Sequence, residues 1–222
     1  MSHDTDRARL RALLALLGAG GGLAGALRLA VVQPAIQEGM RQVRGEVTVN
    51  GKPVRTGDPV RPGDVVATGA RSAAAFVVGR DAFLVRDSTR VEIAGGAAAD
   101  LLRLVTGKLL GVFGAGRNRR LVTASATIGI RGTGAYLEAE AARTYFCLCY
   151  GAADVETADG KAKDTYTTSH HESPRYLYGD GRKDAMTTAR VVNHSDAELI
   201  MLEALVGRTP PREVMDSRWP RY

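Results

Sequence analysis

Two thiols and three imidazoles are the side chains best suited to chemistry in this 222-residue chain. Cys147 and Cys149 are its only cysteines, and His170, His171 and His194 follow them. The fourth histidine, His3, sits ahead of an apolar leader and takes no part. Residues two apart on a strand face the same side, so Phe146, Leu148 and Tyr150 are expected on the face opposite the thiols. A strand apolar on both faces is expected to be buried on both, and cysteine is among the most buried residue types. A disulfide between the two is awkward, because same-face neighbours along one strand lie near the upper limit of Cα separation. Unpaired thiols outside the cytoplasm meet oxidants, which favours burial or metal protection. Two thiolates on one face, with an imidazole from His170, His171 or His194, would suit a soft or borderline ion such as Cu, Zn or Fe. If the chain is extended at His170-His171, at most one of the two rings faces the cysteines. A Cys–His nucleophile would need an exposed thiol of low pKa, and the Phe-Cys-Leu-Cys-Tyr context argues against one. No Gly-x-Ser-x-Gly elbow and no His-Glu-x-x-His occurs. The expectation is therefore a protein that is not an enzyme, with packed thiols and no cofactor, and a metal site as the alternative.

Other motifs carry less. Gly20-x-Gly22-x-x-Gly25 matches a dinucleotide fingerprint by letter, but no strand precedes it. Arg131-Gly132-Thr133-Gly134 could offer backbone amides to an anion; a tight turn with Arg131 as a surface or bridging charge explains it more simply. Arg117, Arg119 and Arg120 form the one basic cluster in a chain of net charge +6. It could touch anionic lipid, wall polymer or nucleic acid, yet a solvated turn accounts for it. No nucleic-acid motif accompanies it, so no nucleic-acid partner is expected.

The elements that must hold the thiols and imidazoles read as short strands. Hydrophobic residues make up 45% of the chain and aromatics only 5%, so the core must be built from Val, Leu, Ile and Ala. Glu46 to Val49 alternates and runs into Asn50-Gly51, the strongest short hairpin signal. Turns follow at Gly57-Asp58 and Gly63-Asp64. Apolar runs then recur at Ala75–Val78, Ala82–Val85, Val91–Ile93, Leu101–Val105 and Leu109–Phe113, too closely spaced for βαβ units. Residues 121–138 read as longer strands, and residues 143–150 as the strand bearing the cysteines. One helix is expected over residues 195–207, with Ser195 and Glu198 as its capping box and Gly207 at its C-terminus. Pro210-Pro211 stop the chain, and residues from Arg212 on read as a loose tail. The fold class expected is mainly β, β-solenoid-like or sandwich-like, with a C-terminal α-helix.

The N-terminus reads as an export signal. Arg7, Arg9 and Arg11 precede an apolar and glycine run over residues 12–27, the layout of a secretory leader. The run is shorter than the roughly 20 residues that span a bilayer. Ala24-Gly25-Ala26 supplies a small-x-small site, so cleavage is expected after Ala26. Retention as an inner-membrane anchor is the alternative. Either way the remaining chain is expected to be periplasmic or otherwise exported.

The stretch from Gly45 to Tyr136 resembles the FecR domain family. The resemblance is carried by Gly45-Glu46-Val47, Val49-Asn50-Gly51, Gly57-Asp58, Pro62-Gly63-Asp64, Thr68-Gly69, Gly107-Lys108-Leu109 and Ile130-Arg131-Gly132-Thr133, in that order. Further on, Phe146-Cys147-x-Cys149-Tyr150-Gly151, His170-His171-Glu172-x-Pro174-Arg175-Tyr176 and Asn193-His194 are similar to the tail of stand-alone FecR-domain proteins. The resemblance implies a β-solenoid-like domain in the periplasm, often part of a sensor that relays an iron-siderophore signal. Only Met1 to Arg11 precede the apolar run, too little for a cytoplasmic anti-sigma segment, so no sigma factor is expected as partner. The organisation expected is a leader or anchor (1–26), a linker (27–42), a FecR-like β domain (43–170) and a C-terminal extension (171–222). Its expected role is binding, scaffolding or signal sensing at the cell envelope, toward an unknown envelope protein or ligand. Contact with the membrane is expected only through an uncleaved leader.

Overall fold

The computed structural model describes residues 35–96, 100–116 and 118–216. The expected leader and its cleavage point at Ala26 lie outside the described residues. Among the described residues no helix is long and apolar enough to cross a membrane.

The protein is mainly β with a C-terminal helix, as the turn chemistry implies. The strands are β1 (Gly39–Arg44), β2 (Val47–Val49), β3 (Lys52–Pro53), β4 (Val65–Thr68), β5 (Ala73–Val78), β6 (Asp81–Val85) and β7 (Arg90–Ile93). They continue with β8 (Leu101–Val112), β9 (Asn118–Val122), β10 (Ala126–Ala139), β11 (Thr144–Thr157), β12 (Lys163–Thr168), β13 (Arg175–Leu177) and β14 (Met186–Thr188). Two helices follow, α1 (Asp196–Leu205) and α2 (Arg212–Met215). All the strands share one sheet, and every pairing is antiparallel except β8 with β9.

Local sequence explains the first hairpin. Asn50 (φ 52°) and Gly51 (φ 76°) both adopt the left-handed conformation that a two-residue turn requires. The Asn50 side chain also accepts the Val65 amide (2.9 Å) and donates to Asp64 (2.8 Å), which ties the hairpin to the turn before β4.

Longer strands arise where the sequence suggests two. Leu101–Val105 and Leu109–Phe113 belong to one strand, β8, bent at Gly107. That residue has φ 90°, and a Cβ there would lie 2.3 Å from Thr89 Oγ1. The bend lets the first half of β8 pair with β7 and β9, and the second half with β6 and β10. The sheet therefore has a central section of β5, β6, β8, β10 and β11 buried on both faces. On one face Phe76, Phe83, Leu109, Leu137, Phe146 and Leu148 join a core shared with β2, β4 and β7. On the other, Val77, Leu110, Val112, Tyr136, Cys147 and Cys149 pack beneath Leu199, Leu202 and Val206 of α1.

Three segments differ from expectation. Strand β1 begins inside the stretch read as linker (27–42) and runs on to Arg44. Its sequence is polar, but Met40 is fully buried and the strand is held by β5 and by Met40 N–H to Asp58 O at 2.8 Å. The expected loose tail contains α2, which seats Val214 in the core beneath α1. The sheet also runs on past residue 170, through β13 and β14. β1 and β13 are fixed by partners far along the chain, β5 and β11, that local sequence does not display.

The expected helix is present. Ser195 and Glu198 form the reciprocal capping box, and Gly207 (φ 67°) ends it.

Gly107→Ala and Gly51→Ala separate backbone strain from crowding. Open space surrounds Gly51 where a Cβ would project, so its alanine should cost only the left-handed penalty of roughly 1–2 kcal/mol. Gly107→Ala should cost about 1–3 kcal/mol more through collision with Thr89. Urea unfolding of both variants measures this, and equal losses would contradict it.

A sealed cluster of thiols and imidazoles

Strand β11 places both thiols on the face covered by α1. A bulge sets their spacing: Ala135 of β10 faces Leu148, whereas the adjacent Gly134 faces Tyr150. Cys149 is the extra residue between them. The bulge brings Tyr150 round to the helix side as well, so it does not share the opposite face with Phe146 and Leu148 as strict alternation predicts. Gly134 makes room for this, since a Cβ there would lie 2.5 Å from the Tyr150 ring. Both cysteines are free and fully buried.

His170 and His171 come from the turn between β12 and β13. That turn is closed by Glu172, which accepts from Thr168 Oγ1 (2.8 Å), Ser169 N (3.2 Å) and Ser169 Oγ (3.0 Å). His171 is left-handed (φ 49°), so the pair is not extended. Its amide donates to Cys149 O at 3.0 Å and locks the turn onto β11. One ring of the pair reaches the thiols: His171 Nδ1 lies 3.4 Å from Cys147 Sγ. The His170 ring turns away, with Nε2 3.0 Å from both carboxylate oxygens of Asp196.

His194 comes from the segment leading into α1. Its ring stacks on Tyr136 with centroids 4.4 Å apart. Its Nδ1 donates to Val192 O at 2.7 Å, and its Nε2 points at His171 Nδ1, 3.1 Å away. The lead-in is held by Arg86, which donates to Asn193 O (2.7 Å) and to Glu198 (2.8 Å).

Cys147, Cys149, His171 and His194 thus present one donor atom each, all within 4.8 Å of one another and all buried. Of the residues expected from sequence, the fold brings these four together. His170 instead joins His171 and Asp196 in an adjoining group. Sequence reasoning missed Asp196; its one visible signal is an acid in the first turn of a capped helix, a position that suits the helix dipole. His171 Nε2 lies 3.1 Å from Asp196 Oδ1.

The electrostatics favour charge separation inside the cluster. Hydrogen bonding from Cys149 holds the Cys147 thiol well below its ordinary value against the effect of burial, helped by His171 and His194. Burial pushes Cys149 up, and the neighbouring Cys147 pushes it further. Burial works to lower His171, but Cys147 and Asp196 together carry it upward. Cys147, His171 and Asp196 therefore stand in the order nucleophile, base and orienting carboxylate. The thiol is shut off from solvent: Cys147 has 0% exposure, and the adjacent cleft of about 460 Å³, bordered by Arg86, Lys108 and Glu198, touches His194 and neither cysteine.

A second buried polar set clamps the lid. Tyr150 OH donates to Glu203 of α1, and Glu203 pairs with Arg208. Arg208 also donates to Arg80 O at 2.6 Å, reaching back to the β5–β6 turn. The basic cluster is only partly solvated: Arg119 turns inward to Asp81 at 2.6 Å, Arg120 is exposed, and Arg117 lies outside the described residues. Arg131 pairs with Asp154 across the surface of β10 and β11.

Fold and site together define a mainly β protein with a thiol–imidazole cluster sealed beneath a C-terminal helix. No protein-family model and no curated protein matches the chain. Two crystal structures of a candidate anti-sigma factor from Parabacteroides distasonis are similar, each with a TM-score of 0.47, at 8% and 9% identity. Each match covers 57% of this chain and 59% of that one. The chain spans less than two thirds of those neighbours, and a likeness this low assigns neither family nor role.

Arg208→Ala would leave the Glu203 carboxylate buried with only Tyr150 as partner. It should cost on the order of 3 kcal/mol or more. Replacing the pair by apolar residues, Glu203→Leu with Arg208→Met, should recover much of that loss. Thermal unfolding checks this; a double variant less stable than Arg208→Ala would contradict it.

Proposed function

We propose that this chain is a non-catalytic binding or signal-sensing domain of FecR type, exported to the bacterial cell envelope. The observation that carries the non-catalytic reading is the sealing of both thiols. Enzymatic use of Cys147 requires a path for substrate, and strand β11 and helix α1 leave the thiol none. The cluster then serves as an internal strut that fixes the last third of the chain on the sheet.

The envelope reading is supported by the ordered FecR-like segments, which fall where the sheet turns or bends. Asn50-Gly51 forms the β2–β3 turn, Pro62-Gly63-Asp64 leads into β4, and Thr68-Gly69 ends it. Gly107-Lys108-Leu109 marks the bend of β8, and Ile130-Arg131-Gly132-Thr133 the irregular stretch of β10. The proposed partner is an envelope protein or ligand bound on the outer surface of the sheet, not a nucleic acid.

Cell fractionation should recover the chain outside the cytoplasm, with a mature N-terminus after Ala26 by mass spectrometry. An intact chain confined to the cytoplasm would contradict export. Thiol reagents applied to the folded protein should leave Cys147 and Cys149 unmodified until denaturant is added. Modification of Cys147 at the rate of an exposed low-pKa thiol would contradict the non-catalytic reading.

A further inference from the structure

We propose that Cys147 Sγ, Cys149 Sγ, His171 Nδ1 and His194 Nε2 are the four ligands of a single structural zinc ion. The inference rests on the cluster alone and does not depend on export or on a FecR-type role.

The tautomers come first. Val192 O can only accept, so His194 carries its proton on Nδ1 and leaves Nε2 unprotonated. The Asp196 carboxylate likewise accepts from His171 Nε2–H, which in the neutral ring leaves Nδ1 unprotonated. These two nitrogens face each other at 3.1 Å in a buried site. With both rings neutral, as metal ligation requires, each presents a lone pair, and Cys147 Sγ converges on the same point 3.4 Å from His171 Nδ1. A cation between them satisfies both, and these two outer hydrogen bonds, one to a carboxylate and one to a backbone carbonyl, are what metal-ligating histidines have.

The two closest ligand pairs lie near zinc spacing, the widest lies within 4.8 Å and would draw in on binding, and the charge balances. Zinc bonds of about 2.3 Å to sulfur and about 2.0–2.1 Å to nitrogen place tetrahedral ligands roughly 3.3–3.8 Å apart. The cluster has 3.1 Å between the nitrogens, 3.4 Å from Cys147 Sγ to His171 Nδ1, and no pair beyond 4.8 Å. Two thiolates and two neutral imidazoles around Zn²⁺ sum to zero, which suits four buried ligands. Binding releases the thiol protons to solvent and involves no redox change. Four protein ligands in a closed tetrahedron fit a structural rather than a catalytic ion. The Cys-x-Cys spacing is shorter than the usual zinc spacing, and the bulge at Cys149 is the local device that accommodates it.

The full chain, purified without added metal, should contain one zinc per molecule by elemental mass spectrometry. After chelation, titration with Co²⁺ should produce the near-ultraviolet thiolate-to-cobalt band and the strong visible bands of a tetrahedral site. Asp196→Asn keeps the side-chain size but weakens the brace on His171. Its zinc affinity should fall about 10- to 100-fold with an unchanged far-ultraviolet spectrum, a readout that a merely structural aspartate would not move. Cys149→Ser should weaken the charge-transfer band; if it fails to fold, the cobalt titration of the natural chain still decides. Absence of both zinc and the cobalt band would overturn the proposal. So would copper or iron bound stoichiometrically in place of zinc.

Discussion

The structure depends on covering one face of the central sheet. Val77, Leu110, Val112 and Tyr136 form an apolar surface that the β strands alone leave uncovered, and α1 is the element that buries it. A ten-residue helix has little stability of its own. Its position is set from both ends by polar groups. At its start, the capping box, Asp196 and His194 tie it to the β12–β13 turn and to β11. At its end, Glu203 and Arg208 tie it to Tyr150 and to the β5–β6 turn. His194, Tyr150 and Glu203 are buried and their partners half-buried, so each is stable only while the others stay in place. The thiol–imidazole cluster and the helix are thus two parts of one closure.

That closure underlies the proposal that residues of a catalytic type act here as structure. A thiol of lowered pKa beside an imidazole and a carboxylate has the order of a nucleophilic triad. The same helix that carries Asp196 covers the thiols. The proximity of a second thiol and a second imidazole points the cluster toward coordination rather than attack.

What is legible in the sequence follows the range of the forces involved. The Asn50-Gly51 turn and the capped helix depend on neighbours a few residues away, and both can be read directly. The two-sided burial of β11 can be read because Phe-Cys-Leu-Cys-Tyr is apolar at every position. Strand β1 cannot, because its pairing depends on β5 and on Asp58. The bulge at Cys149 is hidden because it arises from Gly134 on the facing strand. The choice of His171 over His170 depends on a left-handed residue whose conformation is fixed by its bond to Cys149 O. Asp196 is hidden because its function lies in two rings from a distant turn.

If the cluster holds the C-terminal helix on the sheet, loosening the cluster must loosen the helix. Hydrogen–deuterium exchange of the folded full chain, before and after treatment with a strong chelator, measures that coupling. Exchange in α1 and in the His170–Glu172 turn should become faster after chelation, with β4 to β7 unchanged. In a chain first shown to carry zinc, unaltered protection of α1 would show that the helix is held by other means.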